Sequence, residues 1–311
     1  MFHVLMVDKN LRYFLLILFL LFQGIIILVL FNKSIEIDGD IIPYLKIIGG
    51  DINIEYDIEP ISLLIFKTIG LFPINFHFSI LYLFIYLLCI IESWIVFKNT
   101  NGSILWIIFF TIVIVPFFHA INLRTGFGMF FLFLFYSSWW VLIITPLFHA
   151  SFFPLLSGIR FKLSFKRVLI IIILSAVIGL IMFSLIAGKL VTYYGYYTDE
   201  ESVTGVLIEI LCLVLFSYFL KKKYQLQSSI LWYRILVFVL LISIVSFRLA
   251  IISSRFVTIT YLILLMIRLN SVEIKKITIL TINNFFFYFL FVGLILFRLY
   301  RIVTMFGFIT L

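Results

Sequence analysis

The sequence predicts an all-α, polytopic integral membrane protein. It reads as roughly nine to ten transmembrane helices with one or two short re-entrant or interfacial helices. Two observations carry this. The chain is 65% hydrophobic and only 12% charged, with a mean hydropathy of +1.28, whereas a soluble globule carries about 25% charged residues. Apolar runs near the length that crosses a ~30 Å hydrocarbon core recur along the chain, with basic clusters between them. No soluble domain or internal repeat interrupts the pattern, so residues 1–311 read as one multi-span domain.

In chain order, Tyr13–Phe31 is the first span. It is too long for a cleavable signal, and no small-residue cleavage site follows it. Lys9 and Arg12 before it orient its start toward the cytoplasm under the positive-inside bias. Residues 32–60 form an outer acidic loop carrying Glu36, Asp38, Asp40, Asp51, Glu55, Asp57 and Glu59. Pro60 suits the first turn of a short helix, Ile61–Leu71, with Glu59 at its cap. Spans follow at Phe76–Phe97 and Ile104–Phe118.

Gly126–Ile144 reads as one crossing, followed by a broken piece that starts at Pro146 and carries His149. The basic loop Arg160–Arg167 then belongs inside, and Val168–Ala187 crosses outward. Residues 188–205 form an outer loop rich in tyrosine and acid, ending in Asp199, Glu200 and Glu201. Val206–Leu220, Ile230–Ile252, Phe256–Ile267 and Ile277–Phe297 complete the spans, leaving Arg298 and Arg301 beyond the last one. Glu209, four residues into its span, is a candidate transport residue but lies close enough to the outer surface to read as solvated.

The net charge of +9 lies in short clusters between apolar runs, a membrane pattern rather than a nucleic-acid one. Cys89 and Cys212 both fall inside apolar runs and read as inert thiols, without a disulfide or metal site. No metal or cofactor is expected.

The stretch His119–Gly128 puts polar residues at the seam of two apolar runs. Arg124-Thr125-Gly126 and Ser253-Ser254-Arg255 each precede a predicted span, with Thr125 and Ser254 as N-cap types. An arginine beside a helix N-terminus is electrostatically unfavourable unless an anion joins it, because the free N–H groups there already carry partial positive charge. Guanidinium and helix end together favour phosphate, so Arg124 and Arg255 are candidate pyrophosphate ligands. Arg248, about two helical turns before Arg255, is a possible third. His119, Asn122 and Asp57 are candidate neighbours. His149 and Glu59 are the candidate bases. Asp38 and Asp40 offer an alternative as a metal-binding pair for a lipid-phosphate-sugar glycosyltransferase. A third reading, a lipid-linked oligosaccharide flippase or other transporter, predicts charged residues through the membrane depth.

Four motifs in order resemble the EpsG-like branch of the Wzy-type polysaccharide polymerases, the class that assembles O-antigen, capsule or exopolysaccharide. They are IEYDIEPISLLIFKTIG, INLRTGFGMFFLFLF, PLFHASFFPLL and SSRFVTITYLILL, covering about residues 50–270. Thr125 and Phe127 stand where the family usually carries glutamine or another polar residue and, near the glycine, alanine.

The resemblance implies polymerisation of undecaprenyl-pyrophosphate-linked oligosaccharide at the outer face of the bacterial cytoplasmic membrane. The glycan passes from its lipid pyrophosphate to an acceptor sugar hydroxyl. Arg124 and Arg255, with Arg248, would stabilise the departing pyrophosphate, and His149 or Glu59 would take the proton. The implied partners are the lipid-linked substrate, the bilayer, and a flippase and chain-length regulator of the same pathway, with no nucleic acid.

Overall fold

The computed structural model describes residues 9–36, 41–50, 60–121, 123–136, 138, 140–158, 200–225, 230–245, 250–273 and 280–305. The elements among the described residues are helices joined by turns, apart from a two-residue antiparallel pair, β1 (Tyr224–Gln225) with β2 (Val272–Glu273). The helices are α1 (Lys9–Glu36), α2 (Ile41–Ile48), α3 (Pro60–Ile69), α4 (His77–Asn99), α5 (Ile104–Phe109), α6 (Leu123–Leu134) and α7 (Val141–Ile144). After these come α8 (Glu200–Lys223), α9 (Ile230–Val245), α10 (Ala250–Leu269) and α11 (Leu280–Met305).

Among the described residues, three helices are long and apolar enough to cross a membrane: Asn10–Ile35, Ile74–Asn99 and Thr204–Lys223. Shorter apolar helices occupy 104–120, 123–134 and 231–244. The long helices are apolar on both faces. On α1, Leu16, Ile27, Leu30 and Phe31 are buried, while Phe14, Ile17, Leu21, Ile25 and Leu28 are exposed at helical spacing. The same holds for Leu83, Leu87, Ile91 and Trp94 on α4, and for Phe285, Phe289, Val292 and Leu296 on α11. A helix hydrophobic all round belongs in a large core or in lipid.

Contacts between helix termini define two ends of the bundle. At the first end, α4 stops where Asn101 and Gly102 adopt positive φ (55° and 68°), and the Gly102 N–H returns to the Phe97 carbonyl at 2.8 Å. Arg12 donates to the Asn101 carbonyl at 3.0 Å, and Arg268 donates to the Thr100 carbonyl at 3.4 Å and the Ser271 carbonyl at 3.2 Å. Tyr136 donates to Asn99 at 3.2 Å. The start of α1 and the ends of α4, α6 and α10 therefore meet here. α8 and α11 run antiparallel: Lys223 donates to Tyr288 at 2.7 Å at this end, and Glu209 meets Arg301 at 2.9 Å near the other. The second end gathers α2, the start of α6, the start of α10 and the end of α11.

Several sequence boundaries shift. The predicted crossing Gly126–Ile144 is not one helix. α6 stops at Leu134, the chain turns at Phe135 and Tyr136, and Phe135 packs on Trp140 with centroids 4.9 Å apart. It then returns beside α6 as α7 and the 3-10 turns Thr145–Leu147 and Ala150–Gly158. Pro146 and Pro154 account for the broken return, since proline cannot supply the helical N–H.

Residues 250–252, predicted to end one span, belong to α10, which runs to Leu269. α11 continues through Arg298 and Arg301 to Met305 instead of ending at Phe297. The acidic segment 32–60 contains α2, whose Ile41, Tyr44, Ile47 and Ile48 are buried. α8 begins at Glu200, inside the segment predicted as loop. The predicted span Val168–Ala187 lies outside the described residues.

After α5 the helix widens into π-helical stretches, Phe110–Ile114 and Pro116–Ile121. Such widenings concentrate at functional sites. This one carries Phe117 and His119 toward the second end.

Candidate functional site

Arg124 stands in the first turn of α6, one residue after its start, so Thr125 is a buried helical residue and not an N-cap. The turn packs closely on the π-helical limb. A Cβ at Gly126 would collide with the Phe118 carbonyl oxygen and reach within 2.9 Å of His119 Nδ1. Glycine is required there for backbone approach, not for backbone conformation. Arg124 is half-buried. Its Nε donates to the Tyr44 hydroxyl at 3.4 Å, and its guanidinium lies 5.9 Å from the Tyr44 ring centroid. Tyr44 stacks on Phe66 at 4.9 Å, and Phe66 meets Phe127 at 5.6 Å. Helix α2 thus delivers a phenol to the arginine.

His149 lies on the broken return limb and is buried. Gly128 lets that limb approach α6: a Cβ there would lie 3.1 Å from Phe148 Cβ and 2.5 Å from Phe152 Cε2. The Ser62 hydroxyl donates to the Phe148 carbonyl at 2.9 Å, with both groups buried. This bond fixes the first turn of α3 beside His149. α3 begins at Pro60, matching the prediction from the Glu-Pro pair. Glu59 and Asp57, immediately before it, lie outside the described residues.

At the same end, a buried carboxylate organises three helices. Glu209 on α8 sits 2.5 Å from Arg298 Nε and 2.9 Å from Arg301 Nη1, both on α11. The Tyr261 hydroxyl of α10 donates to Glu209 Oε1 at 2.7 Å. Arg298 also donates to Thr258 at 3.3 Å. Its guanidinium lies between two rings, 4.3 Å from the Tyr261 centroid and 4.5 Å from that of Phe117. Arg298 is 1% exposed, and Arg301 keeps a third of its side chain exposed. A buried charge demands such pairing. The reading of Glu209 as solvated, and of Arg298 and Arg301 as lying beyond the last span, is corrected here. All three are helical, and the first two are buried.

Arg255 is half-buried on α10, one helical turn before Thr258. It therefore lies within α10 and not at a helix cap. Arg298 reaches α10 at Thr258 and the π-helical limb at Phe117, seven residues before Arg124. Arg124, Arg255, Arg298 and Arg301 thus share one end of the bundle, carried on α6, α10 and α11.

Deeper in the core, His119 Nε2 meets Glu92 Oε2 at 2.6 Å, with both residues fully buried. Cys89 lies one turn away on α4, and one ligand atom each from Cys89, Glu92 and His119 fall within 4.8 Å of one another. Beside them, Ser93 donates to Gln23 at 2.9 Å, and Gln23 donates to Thr111 at 2.7 Å. These bonds join α1, α4 and the π-helical limb.

Of the sequence candidates, the structure brings His149 to the α3 start and Arg124 and Arg255 to one end of the bundle. It makes His119 the partner of Glu92. Arg248, Asn122, Asp38 and Asp40 lie outside the described residues, as does most of loop 188–205. Sequence reasoning missed Tyr44, Glu209, Arg298, Arg301 and the Glu92–His119 pair. The available signal was Glu92 and Glu209 inside apolar runs, where a lone carboxylate needs a base. Comparison of the chain with family models, with curated proteins and with solved structures gave no match.

Proposed function

We propose that this chain is a membrane-embedded glycosyltransferase that polymerises lipid-pyrophosphate-linked oligosaccharide units, as the four sequence motifs suggested. The observation that carries the reading is the gathering of Arg124, Arg255, Arg298 and Arg301 at one end of a helical bundle whose outward faces are apolar. A lipid-linked pyrophosphate needs both properties: a cationic site at a helix end and apolar surface for its tail.

In this reading lipid solvates the exposed faces of α1, α4, α8, α9 and α11, and further crossings complete a bundle of nine to ten. The arginine end faces the outside of the cytoplasmic membrane. An acceptor sugar hydroxyl attacks the anomeric carbon of the donor glycan, and the bond from that carbon to the pyrophosphate oxygen breaks. The pyrophosphate leaves with the electron pair, stabilised by Arg124 and Arg255. His149 takes the hydroxyl proton, with Glu59 as the other candidate base. Arg298 and Arg301 hold α8, α10 and α11 together around Glu209 and so position Arg255. Undecaprenyl is the lipid that the motif resemblance points to, and a flippase and chain-length regulator are the proposed partners.

The test is Arg124→Ala in cells that make the polymer. Loss of one preorganised charge-stabilising contact lowers turnover by about 10²–10³. Long-chain glycan should disappear while the protein accumulates in the membrane. Normal polymer from an accumulating Arg124→Ala variant would sink the reading.

The Glu92–His119 pair favours a second reading, a proton-coupled transporter of the lipid-linked unit, since buried carboxylate–histidine pairs serve proton relays. Purified protein in vesicles separates the two. Polymer formed from lipid-linked units without a proton gradient supports the polymerase. Gradient-dependent translocation without new glycosidic bonds supports the transporter.

A further inference from the structure

We propose that Cys89, Glu92 and His119 bind one thiophilic divalent cation, of the Zn2+ class, clamping α4 to the π-helical limb. Cys89 and Glu92 are three residues apart on α4 and so share a face, and His119 meets that face from the limb. All three side chains are fully buried. Their ligand atoms already lie within 4.8 Å of one another.

The hydrogen bond between His119 Nε2 and Glu92 Oε2 leaves part of the cluster unexplained. Glu92 Oε1 is buried without a hydrogen-bond partner among the described residues, a costly state for a polar atom in an apolar core. A cation bound by Cys89 Sγ, His119 Nε2 and both Glu92 oxygens has the four donors that zinc takes and satisfies Oε1.

Charge balance points the same way. The thiol and the carboxylate–histidine pair each give up one proton, so the cation binds with release of two. Thiolate, carboxylate, neutral imidazole and M2+ then sum to zero, the state that a low-dielectric interior favours. Bond lengths of about 2.0–2.3 Å put donor atoms of different residues roughly 3.3–3.8 Å apart. The 2.6 Å Nε2–Oε2 edge must therefore open by about 0.7 Å, and the widest edge must close by about 1 Å. A turn of the Glu92 carboxylate opens the first of these. The thiolate selects Zn2+ over Mg2+. Because the cluster is fully buried, loading accompanies folding, and the bound ion exchanges slowly.

The test uses the full chain, expressed in zinc-supplemented medium with a histidine-free affinity tag and purified in detergent without chelator. Elemental analysis should give about one zinc per chain, retained through dialysis against EDTA. Cys89→Ser and His119→Ala should each reduce it at least five-fold. Cobalt-grown Cys212→Ser protein, in which Cys89 is the remaining thiol, should show thiolate-to-cobalt charge-transfer absorption, and this arm does not depend on a core variant folding. Wild-type protein holding less than a fifth of an equivalent, full metal content in both core variants, or cobalt protein without the charge-transfer band would each overturn the proposal.

Discussion

Replacing Glu209 with glutamine tests the helix-joining role assigned to the buried carboxylate. The substitution keeps volume and leaves an acceptor for Tyr261, but removes the charge that faces two guanidiniums. Arg298 is 1% exposed and cannot turn to solvent, so its charge is left without compensation. Removing one partner of a buried pair costs about 3–5 kcal/mol. The Tyr261 and Phe117 rings, 4.3 and 4.5 Å from the guanidinium, continue to stabilise it by about 0.5–2 kcal/mol each. The cost is therefore set near the lower bound, about 3 kcal/mol. Arg301 keeps a third of its side chain in contact with the surroundings, so Arg301→Ala should cost about 1 kcal/mol or less.

At about 2–4 °C per kcal/mol for a chain of this order of size, Glu209→Gln should lower the apparent Tm in detergent by about 6–12 °C. Arg301→Ala should lower it by no more than about 4 °C. Thermal unfolding followed by monodisperse elution measures both. The double variant Glu209→Gln with Arg298→Met removes both charges and should recover more than half of the loss, because the two effects are coupled. A Glu209→Gln protein within 2 °C of wild type (about 1 kcal/mol or less), or a double variant that loses the sum of both single losses, refutes the assignment.

Two further substitutions probe the packing that positions Arg124 and His149. Gly126→Ala forces a methyl group against the Phe118 carbonyl and His119 Nδ1. Backbone cannot yield as a side chain does, so it should cost about 1–3 kcal/mol, read as a fall in Tm together with loss of polymer. Ser62→Ala strips the donor from the buried Phe148 carbonyl and should cost about 1–3 kcal/mol. Polymer output should fall further than for a Thr68→Ala control, whose hydroxyl bonds only within its own exposed helical turn.

Much of the fold was legible because apolar run length and the proline and glycine breaks are local signals. Pro60 marked the start of α3, and Asn101-Gly102 stops α4 two residues past Phe97, the end of the second predicted span. The errors fall where a tertiary contact decides the outcome. Nothing local distinguishes an arginine beyond a helix from one inside it. Arg298 is accommodated in the helix because Glu209, 89 residues away in sequence, neutralises it. Ser253 and Ser254 look like cap residues, yet α10 has already begun at Ala250. The break after α6 hides in an aromatic run, where Phe135 packs against Trp140. α2 was obscured by the acids on either side of it.

The candidate site was legible in its residue types but not in its organisation. The sequence pattern places a helix N-terminus beside both Arg124 and Arg255. The structure removes the helix-end argument for Arg255 and keeps it for Arg124, which stands in the first turn of α6. It replaces the symmetry of the two with different roles. Arg124 is addressed by Tyr44 from α2 and backed by a glycine contact to the limb of His119. Arg255 sits one turn from the Thr258 that Arg298 engages, so its position depends on the Glu209 cluster. Glu209→Gln should therefore act on the polymer through Arg255, whereas Arg124→Ala acts without loss of stability. An Arg124→Ala variant that accumulates normally and makes no polymer, beside a Glu209→Gln variant whose polymer falls in step with its Tm, would separate the anion site from the scaffold that holds it.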